Sequence, residues 1–149
     1  MRWFYRRKAG TFLAREDGVV AVEFVILFPI FMLILVGIVE FGHLFNVRHT
    51  LTNASREGAR AAVVYTTATD RKKWAEDTAK AAVDKYLADT KFGGPYTVTP
   101  VAGTATGNLV TVTVTSDSGL LLLDKVSGKV GDAFSKIKTV SAETTMRME

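Results

Sequence analysis

The sequence predicts an α+β protein: a long N-terminal transmembrane helix continuing into a soluble helix, then a second helix and a small antiparallel sheet of three or more strands. Three observations carry this. Val19 to Val39 is apolar except for Glu23 and Pro29, apolar positions then recur every three or four residues as far as Val64, and from Tyr96 the period changes to alternation.

At ~1.5 Å per residue the apolar run makes a helix about 31 Å long, enough to cross a hydrocarbon core of ~30 Å. Residues 1–18 form a basic leader with Arg2, Arg6, Arg7, Lys8 and Arg15 against Glu16 and Asp17, which accounts for +3 of the formal +4. Lys and Arg within ~15 to 20 residues of a span set its topology, so the N-terminus is expected inside and the C-terminus outside. The Arg6-Arg7 pair also fits a twin-arginine export signal, but the long continuous span with no small-x-small cleavage site after it argues against a removed export peptide. The remaining 14 basic and 13 acidic residues nearly cancel. A polyanion-binding surface therefore has little support, and no nucleic-acid partner is expected. The chain has no cysteine, which removes disulfides, thiolate metal sites and lipid attachment at Cys.

Beyond the span, Phe41, Leu44, Val47, Leu51, Ala54, Gly58, Ala61 and Val64 fall on one helix face, so the helix is expected to run on to about Tyr65, with Pro29 as a possible kink. Residues 40–69 are this continuation and a linker, and residues 70–149 are a soluble α+β domain. Asp70 is a good N-cap for a second helix that ends before Gly93-Gly94-Pro95. Trp74, Ala75, Ala79, Ala82, Val83, Tyr86 and Leu87 supply its apolar side, and Lys72, Lys73, Asp77, Lys80 and Asp84 its solvated side. Tyr96 to Val101 reads as a short strand broken by Pro100, with a Gly- and Thr-rich hairpin loop from Ala102 to Asn108 after it. Val110, Val112 and Val114 then share the inward face of a strand, with Thr111 and Thr113 outward, and Val140, Ala142, Thr144, Met146 and Met148 share one face of another. Gly119 to Lys136 reads as a loop with a helical turn folded over the sheet. Alternatively, its Leu120–Leu123 patch docks on a partner or on the membrane.

Catalytic constellations are sparse, and the chain is not expected to be an enzyme or to hold a cofactor or metal. His43 and His49, six apart, lie on different helix faces. Ser127-Gly128-Lys129 lacks the upstream glycine of a phosphate loop, and the Asn53-Ala54-Ser55 sequon sits in an expected helix. The informative pair is Gly18 and Glu23. Glycine at the boundary permits an extended backbone that can enter a protease cleft. A cut there would free the Val19 amine, with a reference pKa of ~7.7 to 8.0, near the Glu23 carboxylates of neighbouring subunits. An ionised group inside a membrane helix costs ~2.5 to 3.5 kcal/mol at the midplane, so such pairing would give lateral assembly both attraction and register. Snorkelling of Glu23 to the inner interface is the other reading.

The block GVVAVEFVILFPIFMLILVGIVEFGHLF, with Glu23-Phe24 at the fifth and sixth places after Gly18, is similar to prepilin-peptidase substrates of the Tad (tight adherence) pilus system. ASREGARAAVV, from Ala54 to Val64, resembles the AAREGAR segment of TadE-like minor pseudopilins, and the ending TVSAETTMRME resembles that family's terminal strand. The resemblance implies a single-pass bacterial inner-membrane protein, cut on the cytoplasmic side after Gly18, with Val19, Glu23 and Phe24 as processing determinants and the C-terminal domain in the periplasm. It further implies work in assembling a Flp-type pilus beside the major Flp-type pilin and other TadE/TadF-type minor pseudopilins, in support of adherence and surface colonisation. Gly58 would allow close helix contact, while Arg56, Glu57 and Arg60 form a charged edge fit for a partner. An unprocessed, signal-anchored periplasmic binding or regulatory domain is the alternative.

Overall fold

The structure, a computed structural model, describes residues 16–64, 69–103, 107–117, 122 and 139–148. The leader as far as residue 15, the Ser127-Gly128-Lys129 tripeptide and all of Gly119 to Lys136 except Leu122 lie outside the described residues. The elements are helix α1 (Glu16–Ala62), helix α2 (Arg71–Asp89) and strands β1 (Tyr96–Ala102), β2 (Leu109–Asp117) and β3 (Thr139–Arg147). Two compact units divide the chain, Met1–Gly37 and Ile38–Glu149.

In the first unit α1 presents its apolar side chains outward on every side, and Pro29 lies inside the helix. A helix apolar all round suits a lipid surround, where a proline is tolerated because helix neighbours and local adjustment re-satisfy the freed carbonyl. This helix is long and apolar enough to cross a membrane.

In the second unit β1-β2-β3 form an antiparallel meander. The alternation expected from the sequence holds: Val110, Val112 and Val114 are fully buried while Thr111 and Thr113 are half-buried. On β3, Ala142 is buried and Val140, Thr144 and Met146 are half-buried, between exposed odd-numbered residues, and Met148 just past the strand is buried on the same side of the pattern. Both helices contribute to the core above this face, α1 through Val47, Leu51, Ala54, Ala59 and Ala62, α2 through Ala75, Ala79, Val83 and Leu87. The buried stripe of α1 departs from the expected one at both ends: it starts at Val47, with Phe41 exposed and Leu44 half-buried, and it ends on Ala62, with Ala61 half-buried and Val64 exposed past the end of the helix. The 3.6-residue period makes the shift in the last turn natural, since spacings of three and four both approximate it.

Asp70 caps α2 as expected, accepting from the Lys73 N–H at 3.0 Å. At the other end the Phe92 N–H donates to the Leu87 carbonyl at 2.9 Å and the Lys91 N–H to that of Ala88 at 3.0 Å, which stops the helix before the Gly93-Gly94-Pro95 turn. Lys91 occupies the left-handed position of this motif with φ 53°, a place that usually takes glycine.

Two expectations are corrected. Strand β1 is not broken at Pro100 but runs through it, with Pro100 opposite Val112. Because β1 has no strand on its far side among the described residues, the missing N–H need not cost a ladder bond. Asp84 is not on a solvated face. It is half-buried and accepts a hydrogen bond from the Tyr96 hydroxyl at 3.1 Å. Burial, then that bond and the carboxylate charge, raise the Tyr96 phenol above its ordinary value.

Candidate processing and assembly site

Glu16 begins α1, so Gly18 and Val19 stand in its first turn. Gly18 is helical here, so an extended backbone in a protease cleft would require this turn to open. The first turn of a helix lacks intrahelical acceptors for its N–H groups and opens at small cost, so a peptidase would meet the least secured part of α1. Among the described residues a Cβ added at Gly18 would find nothing within 4 Å, so its lack of a side chain serves no packing there.

Glu23 lies on the exposed surface of α1. Its neighbours one turn away are Val19, Val20, Ile26 and Leu27, none of which can hydrogen-bond a carboxylate with its side chain. Phe24 packs its ring on Phe28 at 5.4 Å between centroids. The helix therefore brings Gly18, Val19, Glu23 and Phe24 within two turns, the carboxylate surrounded by hydrocarbon.

The second block divides by face. Arg56, Glu57 and Arg60 are exposed, whereas Gly58 is buried and turned into the domain. A Cβ on Gly58 would stand 2.6 Å from Val83 Cγ2, 3.1 Å from the Ala79 carbonyl oxygen and 3.3 Å from Val112 Cγ1. The close approach that this glycine permits is thus with the chain's own α2 and β2, and the surface left for another protein on this turn is the charged edge.

Sequence reasoning missed two polar residues. Ser55 is fully buried one turn before Ala59, and its hydroxyl meets that of Thr144 on β3 at 2.8 Å, so the serine of the Asn53-Ala54-Ser55 sequon is packed into the domain while Asn53 is half-buried. Glu40, immediately after the apolar run, is 3% exposed and accepts from the backbone N–H of Leu122. A carboxylate placed just where an apolar run ends was the available signal. His49 stacks on Phe45 at 6.2 Å, and among the described residues no group of His, Asp and Glu is placed to hold a metal.

The family model described as TadE-like protein matches residues 18–60, which is 43 of the 149 residues. No curated protein and no solved structure matches the chain. The match opens on Gly18 and closes on Arg60, so it contains the first block and the second as far as Arg60, and it stops before α2 and the sheet, leaving the terminal-strand resemblance outside it. From Gly18 to Arg60, along one helix that carries an apolar run and then a charged edge, this segment is similar to the TadE-like family.

Proposed function

We propose that the chain is a minor pseudopilin of a Tad, Flp-type IV pilus, cut after Gly18 by a prepilin peptidase on the cytoplasmic side of the inner membrane. Its domain stands in the periplasm and, after processing, enters or primes the fibre beside the major Flp-type pilin and other TadE/TadF-type pseudopilins. The role is structural rather than enzymatic, and the resulting pili serve adherence and surface colonisation. The observation that carries this reading is the presence of both the Gly18-to-Phe24 block and the Arg56-to-Arg60 block within the one TadE-like segment.

The freed Val19 amine and the Glu23 carboxylate of a neighbouring subunit supply opposite charges to an interface that is otherwise hydrocarbon. In such surroundings an unpaired carboxylate is penalised, so the pair favours one axial register over others. Arg56, Glu57 and Arg60 would add charge complementarity farther along the helix. Exposed ion pairs contribute ~0 to 1 kcal/mol each, so their use there is selection of partner more than strength.

Replacing Gly18 by Leu is expected to retain the full-length form. The space around Gly18 is open, so α1 accepts the side chain and the effect reports on the peptidase. Intact mass of protein extracted from peptidase-bearing cells measures it. The same shortened mass in wild type and variant would contradict cleavage at this bond, and full-length mass in the wild type would favour the unprocessed, signal-anchored domain.

Glu23→Gln keeps nearly the same shape and removes the charge, so membrane insertion and domain stability are expected to stay as they are while pilus output and crosslinking to other pilins fall. Counting pili on cells that carry the variant as their only copy is the check. Normal piliation would favour the snorkelling role.

A further inference from the structure

We propose that the base of the soluble domain, where α1 leaves the apolar run, is a phospholipid-binding surface, with Phe41, Phe45 and Leu122 in the headgroup boundary and Arg48 on a lipid phosphate. Phe41 is 72% exposed, Phe45 64% and Leu122 44%. Phe41, Leu44, Phe45 and Arg48 are spaced i, i+3, i+4 and i+7 and so share one helix face. That face flanks the core-facing stripe of Val47 and Leu51 and forms, with Thr139–Ser141 at the start of β3, a groove of about 500 Å³.

Continuity with the span identifies the occupant. Counting from Val39, Phe41 lies ~3 Å and Phe45 ~9 Å further along the axis, against an interfacial zone of ~5 to 7 Å per leaflet, and the lean of helical side chains toward the N-terminus carries the Phe45 ring back toward that zone. Arg48 lies ~14 Å along, but helical side chains lean toward the N-terminus and an Arg stem carries its head back toward the surface. A guanidinium over two phenyl rings suits a phosphate above acyl chains, because it can bind two phosphate oxygens at once.

The second observation is independent of this stripe. Buried Glu40 accepts from the Leu122 N–H across 82 positions of sequence and thereby holds an exposed leucine beside the first residue after the apolar run. Aqueous solvent gives no reason to fix a leucine there, whereas a bilayer surface does. The inference needs the membrane span and not the pilus role, so its failure would leave the pseudopilin reading intact.

The native chain has no cysteine, so single Phe41→Cys, Phe45→Cys and, as an exposed control on α2, Lys80→Cys variants can each carry one nitroxide. The full chain is reconstituted at high dilution in phosphatidylcholine vesicles with and without phosphatidylglycerol. Labels at 41 and 45 are expected to be shielded severalfold from a water-soluble nickel complex, relative to position 80, while remaining accessible to oxygen dissolved in the bilayer. Accessibility equal to that at position 80 would overturn the proposal, as would shielding that disappears on further dilution with lipid, since a second copy of the chain would then be the cover. In the unlabelled chain, Arg48→Gln is expected to lower the immobilised fraction of spin-labelled phosphatidylglycerol, and an unchanged fraction would remove the phosphate site.

Discussion

Val112→Asp is expected to lower the stability of the domain by about 3 to 5 kcal/mol, while Thr113→Asp next to it changes stability by no more than about 1 kcal/mol. Val112 has no exposed surface and lies at the centre of the meander, opposite Pro100 on β1 and Thr144 on β3, with its Cγ1 facing Gly58. An Asp there loses the burial of a Val, about 1.5 to 3 kcal/mol, and must either leave a charge without a partner or take up a proton. Thr113 points to the half-exposed side, where its register partner Glu143 is exposed, so its variant adds only a repulsion that water screens. Urea titration of the full chain in mild detergent, followed by the fluorescence of half-buried Trp74, separates the two. Equal shifts in midpoint would mean that the sheet is not one-sided.

Gly58→Leu is expected to prevent α1 from docking on α2 and β2, with loss of the cooperative transition in the same titration. Gly58→Ala is the graded version. A helical Gly→Ala change gains ~1 kcal/mol of propensity, but overpacking costs ~1 to 3 kcal/mol, and part of the obstruction at Gly58 is the Ala79 carbonyl, which belongs to the backbone and cannot rotate away. A net loss of about 0 to 2 kcal/mol follows. Val83→Ala removes the nearest atom, at 2.6 Å, so it should lessen the loss in the double variant. Strict additivity of the two changes would rule out the contact as the cause.

These two residues mark the difference between local and distant information. The inward face of β2 was readable because side chains alternate along any strand, so burial of Val110, Val112 and Val114 follows from their own spacing. The apolar run, the Asp70 cap and the apolar side of α2 are of the same kind, each specified by residues within a few positions of one another. The Gly18-to-Phe24 block is likewise local, since Gly18, Glu23 and Phe24 lie on one continuous helix.

Gly58 could be recognised as a place for close approach, but what approaches it lies 21 to 54 residues later, on α2 and β2. Pro100 looked like a strand breaker because proline lacks a donor, and only the order of strands shows that β1 has a side with no ladder to break. Ser55 with Thr144, Asp84 with Tyr96, and Glu40 with Leu122 are likewise contacts between elements. A hydroxyl or carboxylate in a sequence reads as solvated by default, since that is the lowest-cost state for a polar group without a partner. Local periods therefore settled which residues form helices and strands and which of their faces are apolar, while packing between elements settled which polar groups could be buried, because the hydrogen bonds that permit it exist only once the chain has folded.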